Sequence, residues 1–113
     1  MRAVVITEYG NEDVLEVQEV PEPSPGPDQV VVGVTASAMN RADLLQRAGQ
    51  YPAPGPKPEH EIPGLEYSGE IVSLGSEVSN WSVGDAVMGI VSGGAMAEMV
   101  VTHERMLQSV PHD

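Results

Sequence analysis

The sequence predicts a mainly β domain, a partly open barrel of six to eight short strands with one short helix. Three observations carry that expectation. Ten prolines and 12 glycines interrupt a chain of 113 residues that shows no long helical pattern. The segment Gln29–Ala38 alternates at period two, with Val30, Val32, Val34, Ala36 and Ala38 on one face and Val31, Gly33, Thr35 and Ser37 on the other. Phenylalanine is absent, so the core must be built from Val, Ile, Leu, Ala and Met, residues that suit short, tightly packed strands.

Taken in order, Ala3-Val4-Val5-Ile6 reads as a first strand, ended by the turn cluster Tyr9–Asp13. Val14–Val20 alternates apolar and polar residues for part of its length, as a partly exposed strand does. Pro21–Pro27 lacks the backbone donors to sit inside a sheet and is a rigid connector. After Gln29–Ala38 the period changes. Asn40–Arg47 reads as a short helix with Asn40 as cap, Asp43 at the third helical position and Gly49 as its stop. Gln50–Pro63 holds five prolines in 14 residues and is expected to be an ordered, irregular surface loop.

The central stretch Ile62–Gly89 carries two further strands, Leu65–Leu74 and Ala86–Val91. Gly64 and Gly69 leave room for another backbone or a ligand. Gly84-Asp85 re-aims the chain, and Trp81, the single tryptophan, is placed to lock the intervening loop onto the body of the domain. Gly93-Gly94 turns the chain into a strand expected at Ala95–Val101, and Met106-Leu107 opens a last short one.

Composition excludes several functions. The net charge of −12, from 17 acidic and 5 basic residues, argues against nucleic acid or an anionic membrane as partner. With no cysteine there is neither a disulfide framework nor a Cys-ligated zinc site. No apolar run approaches the roughly 18 residues of a membrane span, and a cytoplasmic protein is the default expectation. His60, His103 and His112 match no ligand spacing.

Ala36–Tyr51, Pro63-Gly64-Leu65-Glu66 with Ser68-Gly69, and Val83-Gly84-Asp85 together resemble the medium-chain dehydrogenase/reductase superfamily. The branch is that of the zinc-independent quinone oxidoreductases, the zeta-crystallin relatives, and within it the p53-inducible quinone reductases are most similar. The resemblance covers the N-terminal part of that family and implies a GroES-like barrel over residues 1–113. It also implies that Asn40 and Leu65 stand where zinc alcohol dehydrogenases place a cysteine and a histidine ligand, and Ala42 where they place a proton-relay hydroxyl. An amide and an isobutyl group supply neither thiolate nor imidazole, so no metal is expected. The implied reaction is hydride transfer from NADPH to a quinone or another electron-poor carbonyl.

On this resemblance Asn40 and Tyr51 are the candidate catalytic residues. Asn40 and Asp43 are the candidate cofactor contacts, and Tyr51 and Leu65 line the acceptor pocket. The residues themselves leave plainer roles open: Asn40 and Asp43 as a reciprocal helix cap, Tyr51 as a loop anchor, Glu66 as a structural carboxylate. No glycine-rich strand–turn–helix fingerprint occurs, so the Rossmann domain is absent from these residues. The expectation is therefore a piece of a two-domain enzyme, inactive alone. Its unpaired edges favour a homo-oligomer. The alternative is a stand-alone GroES-like binding or assembly module, and the reading frame beyond Asp113 distinguishes the two.

Overall fold

The computed structural model describes residues 1–51 and 55–111. Among them are seven strands and one α-helix: β1 (Arg2–Ile6), β2 (Leu15–Glu19), β3 (Gln29–Ala38), α1 (Arg41–Arg47), β4 (Glu66–Leu74), β5 (Ala86–Ile90), β6 (Met99–His103) and β7 (Leu107–Ser109). All strand pairings are antiparallel. β1 and β2 form a hairpin, and the other five strands form a sheet in the order β6-β3-β4-β5-β7. The hairpin is stitched to the chain just before β6 by the Ala3–Ala97 bridge and by Val4 N–H donating to the Met96 carbonyl at 2.9 Å. Among the described residues β6 and β7 do not pair, so the sheet stays an open barrel, as the sequence predicts.

The core has two parts. Val30, Val32, Tyr67, Ile71, Val87, Ala95, Val100 and Leu107 form one buried cluster, while Ala3, Val5 and Val20 form a smaller one beneath the hairpin. Tyr67 is the aromatic member of the larger cluster, and burial raises the pKa of its phenol, with Thr102 opposing the shift. Trp81 ties its loop to the body as expected: its indole Nε1–H donates to the Glu104 carbonyl at 2.9 Å.

Two expectations need correction. The period-two reading of Gln29–Ala38 puts Val30, Val32, Ala36 and Ala38 on one face and Val31 on the other, so the first four should share one burial and Val31 another. Val30, Val31 and Val32 are in fact all buried, whereas Ala36 and Ala38 are exposed. The cause is register. β3 pairs on both sides, and against β4 its register shifts between Val31 and Val32 and again between Val34 and Ala36. Each bulge breaks the alternation locally, and the end of β3 leaves the core. The strand expected at Ala95–Val101 begins only at Met99. Its first residues are drawn aside, since Gly94, Ala95 and Met96 donate their N–H groups to the carbonyls of Ile62, Gly64 and Pro63. A left-handed glycine pair, Gly93 and Gly94 (φ 154° and 99°), sets that direction.

β3 and β4 come close where each strand carries a glycine. A Cβ on Gly69 would land on the Gly33 carbonyl and against Val32 Cγ1, in the middle of the sheet. Gly69→Ala is therefore expected to destabilise the domain by about 3 kcal/mol, as overpacking of a rigid backbone does. Urea denaturation checks this, and an unchanged midpoint would contradict it.

Candidate functional site

The end of β3 delivers the chain through Met39 to Asn40, the N-cap of α1. Asp43, one turn on, is 6% exposed and has both carboxylate oxygens engaged. Its Oδ2 accepts the Asn40 N–H at 2.7 Å, and its Oδ1 accepts the Gly64 N–H at 3.1 Å. The first bond secures the helix start; the second pins the run Pro63–Glu66 to that same turn. Gly64 is held at φ 109°, where a Cβ would collide with the Met96 backbone nitrogen. The Asn40 side chain reaches β4, with Nδ2 donating to Glu66 Oε2 at 3.3 Å. A carboxylate only accepts, so the amide nitrogen must face it. Leu65, half-buried, is fixed by its carbonyl, which accepts the Val91 N–H at 2.7 Å. The structure thus brings Asn40, Asp43, Leu65 and Glu66 to one end of β3 and β4.

Tyr51 stands apart from that group. It lines a cavity of about 480 Å³ whose described walls include Tyr9, Gln46, Lys57, His60, Glu61, Ile62 and the Ser92–Gly94 turn, and not Asn40, Asp43 or Leu65. The two groups are joined through α1, which carries Asn40 at its cap and Gln46 in its last turn. Inside the cavity Glu61 is the organising acid: Oε1 accepts the Tyr9 hydroxyl at 3.2 Å, and Oε2 accepts Gln46 Nε2 at 3.3 Å. Lys57 Nζ lies 5.1 Å from the centre of the Tyr9 ring, within range of a cation–π contact. His60 Nε2 is 3.9 Å from Glu59 Oε1. Among the described residues no group of three acids or histidines is disposed to hold a metal ion, and no helix is long and apolar enough to cross a membrane.

Sequence reasoning did not find Tyr9, Gln46, Lys57 or Glu61 as cavity residues. Tyr9 and Glu61 are 52 positions apart and meet only because Ile6 N–H donates to the Glu61 carbonyl, laying the proline-rich loop beside β1. A signal for Gln46 was present: Asp43 and Gln46 are three apart, so two polar side chains share one face of a short helix. That face is buried, with Gln46 only 4% exposed, and a buried polar pair requires partners opposite.

Residues 26–112 match the alcohol dehydrogenase GroES-like domain family, and the chain belongs to it. It is 38% identical over 99% of its length to the mouse (Mus musculus) protein named quinone oxidoreductase-like protein 2, covering 31% of that relative. The crystal structure of the human synaptic vesicle membrane protein VAT-1 homolog-like protein superposes with a TM-score of 0.92 at 34% identity, covering all of this chain and 36% of the other. A quinone oxidoreductase of Pseudomonas syringae gives a TM-score of 0.88 at 32% identity over 97% of this chain and 33% of its own. The chain thus spans about a third of the length of these relatives.

Asp43→Asn tests the junction. An amide offers one acceptor oxygen where the carboxylate offers two, so either Asn40 N–H or Gly64 N–H loses its partner in a buried place. The expected loss is about 2 kcal/mol of stability, measured by chemical denaturation, because an orphaned buried donor costs about that much. Stability equal to the parent would show that the two bonds are dispensable.

Proposed function

We propose that this chain forms the substrate side of a cytoplasmic, zinc-independent, NADPH-dependent quinone oxidoreductase. The observation that carries the reading is the cavity walled by Tyr51, prolines and Ile62 beside α1, in a chain whose relatives include proteins named as quinone oxidoreductases. Its size lies within the range of small-molecule sites, and its lining mixes an aromatic and apolar wall with a few polar groups.

NADPH, when bound, supplies the hydride that reduces the quinone. The residues present suit only its nicotinamide end. The N-terminus of α1 is occupied by the Asp43 carboxylate, which would repel a pyrophosphate, and among the described residues no glycine-rich turn between a strand and a helix is available for one. Asn40 keeps one Nδ2 hydrogen on Glu66 and has the other for a ligand oxygen, on the nicotinamide amide or on the quinone. Asp43 serves the cofactor side through the backbone, fixing Asn40 and Gly64 where the nicotinamide borders them. Leu65 gives an apolar edge where the resemblance places an imidazole ligand in zinc enzymes, and with Asn40 it leaves no soft donor pair for that metal. Tyr51 walls the acceptor, since a reduced quinone can take its protons from water.

Steady-state kinetics in the protein carrying its dinucleotide-binding domain test this. Tyr51→Phe is expected to be nearly neutral and Tyr51→Ala to raise KM. A fall in kcat and kcat/KM together of roughly tenfold to a thousandfold in the Phe variant would instead make Tyr51 a proton donor. Elemental analysis of the dialysed protein is expected to show no stoichiometric zinc; one zinc per chain would overturn the metal-free reading.

A further inference from the structure

Tyr9 lies outside the stretch that matches the family, residues 26–112, in a turn between β1 and β2. A turn tyrosine needs no fixing, yet this ring is held at three places. Gly49 supports its base so closely that a Cβ there would stand 2.9 Å from ring atoms Cγ and Cδ2, and Gly49 is also at φ 79°, where glycine is favoured. At the tip the hydroxyl donates to Glu61 Oε1 at 3.2 Å, and Glu61 is itself braced by the buried Gln46. Lys57 Nζ lies 5.1 Å from the ring centre. Tyr9 as a whole remains 52% exposed, and it lines the same cavity as Tyr51. A flat, half-open, immobilised aromatic in a cavity wall is a preformed stacking surface, because little side-chain entropy is left to lose on binding.

We infer that Tyr9 is a specificity-determining wall of the acceptor site and favours two-ring quinones over one-ring quinones. The inference rests on the reading of the cavity as the acceptor pocket. One ring covers little of a cavity of about 480 Å³. A fused second ring extends the flat, electron-poor surface, and an electron-rich phenol ring is its natural stacking partner. Lys57 and Glu61, which also line the cavity, contact the Tyr9 ring and its hydroxyl.

The 113-residue chain, which has no thiol for quinones to alkylate, is titrated with menadione (two rings) and duroquinone (one ring) while amide shifts are followed by NMR. The parent is expected to bind menadione more tightly. Tyr9→Leu and Tyr9→Ala are expected to reduce that preference about threefold to tenfold, with duroquinone little changed, whereas Tyr9→Phe retains it because the ring remains. If both quinones shift cavity residues such as Ile62 and Gly93 but the preference is the same in Tyr9→Leu as in the parent, Tyr9 is not a selector and the acceptor pocket stands. Equal weakening of both quinones in Tyr9→Leu likewise overturns the inference, since Tyr9 would then only support the loop. If neither quinone perturbs the cavity residues, the acceptor-site reading fails and the inference fails with it.

Discussion

The buried carboxylate of Asp43 is the constraint on which the functional end of this domain depends. A helix of seven residues is too short to be stable on its own, and its first N–H groups have no internal partners. Asp43 supplies one acceptor to the N-cap and the other to Gly64, a residue 21 positions away. The bond from Gly64 is buried and that from Asn40 partly so, which limits their exchange for water. The effect is to make the position of α1 a function of the position of the Pro63–Glu66 run. Asn40, Leu65 and Glu66 then hold fixed relations, and so does Gln46 at the far end of the same helix.

A second constraint sits beneath it. Backbone-to-backbone approach at Gly33 and Gly69 lets β3 and β4 cross with two bulges and still remain paired over most of their length. The bulges swing the last residues of β3 out of the core, which is why Ala36 and Ala38 are exposed. The same turning carries Asn40 to the start of β4 and within reach of Glu66. A straight, strictly alternating strand would keep its inner face buried to its last residue. Irregularity in the sheet is therefore what places the polar group at its rim.

These features were unequally legible in the sequence. The class of fold, the extent of β3 and the capped helix at Asn40–Arg47 could be read, because each depends on local pattern or on a single cap. Gly69 also pointed to a close approach of another backbone, though not to its partner, the Gly33 carbonyl one register step away. Register was not legible: bulges at Val31/Val32 and Val34/Ala36 arise from pairing with β4 and leave no periodic signature in β3 itself. The false strand start at Ala95 has the same origin, since hydrogen bonds to the Ile62–Gly64 loop win over the sheet. Asn40 and Tyr51 were singled out by resemblance. Tyr9 and Glu61 were not, because their contact joins segments 52 residues apart, which no local pattern encodes.

The Asn40–Glu66 pair shows what becomes of a carboxylate when soft ligands are not beside it. Glu66 is exposed at the start of β4, so its charge is largely hydrated and does not require a buried counter-ion. What it can do is orient. Its oxygens only accept, and the one nearest Asn40 therefore selects the amide nitrogen over the amide oxygen. Of the two possible faces of the asparagine, the donor is thereby held toward the strand end. A neutral donor fixed in this way can bond a carbonyl oxygen without adding charge to the site. In the reaction proposed above, negative charge would build on a carbonyl oxygen, and a preoriented N–H would strengthen its bond as that charge grew. A glutamate in that position thus orients its neighbour without needing a metal, and that role follows from its being unable to donate.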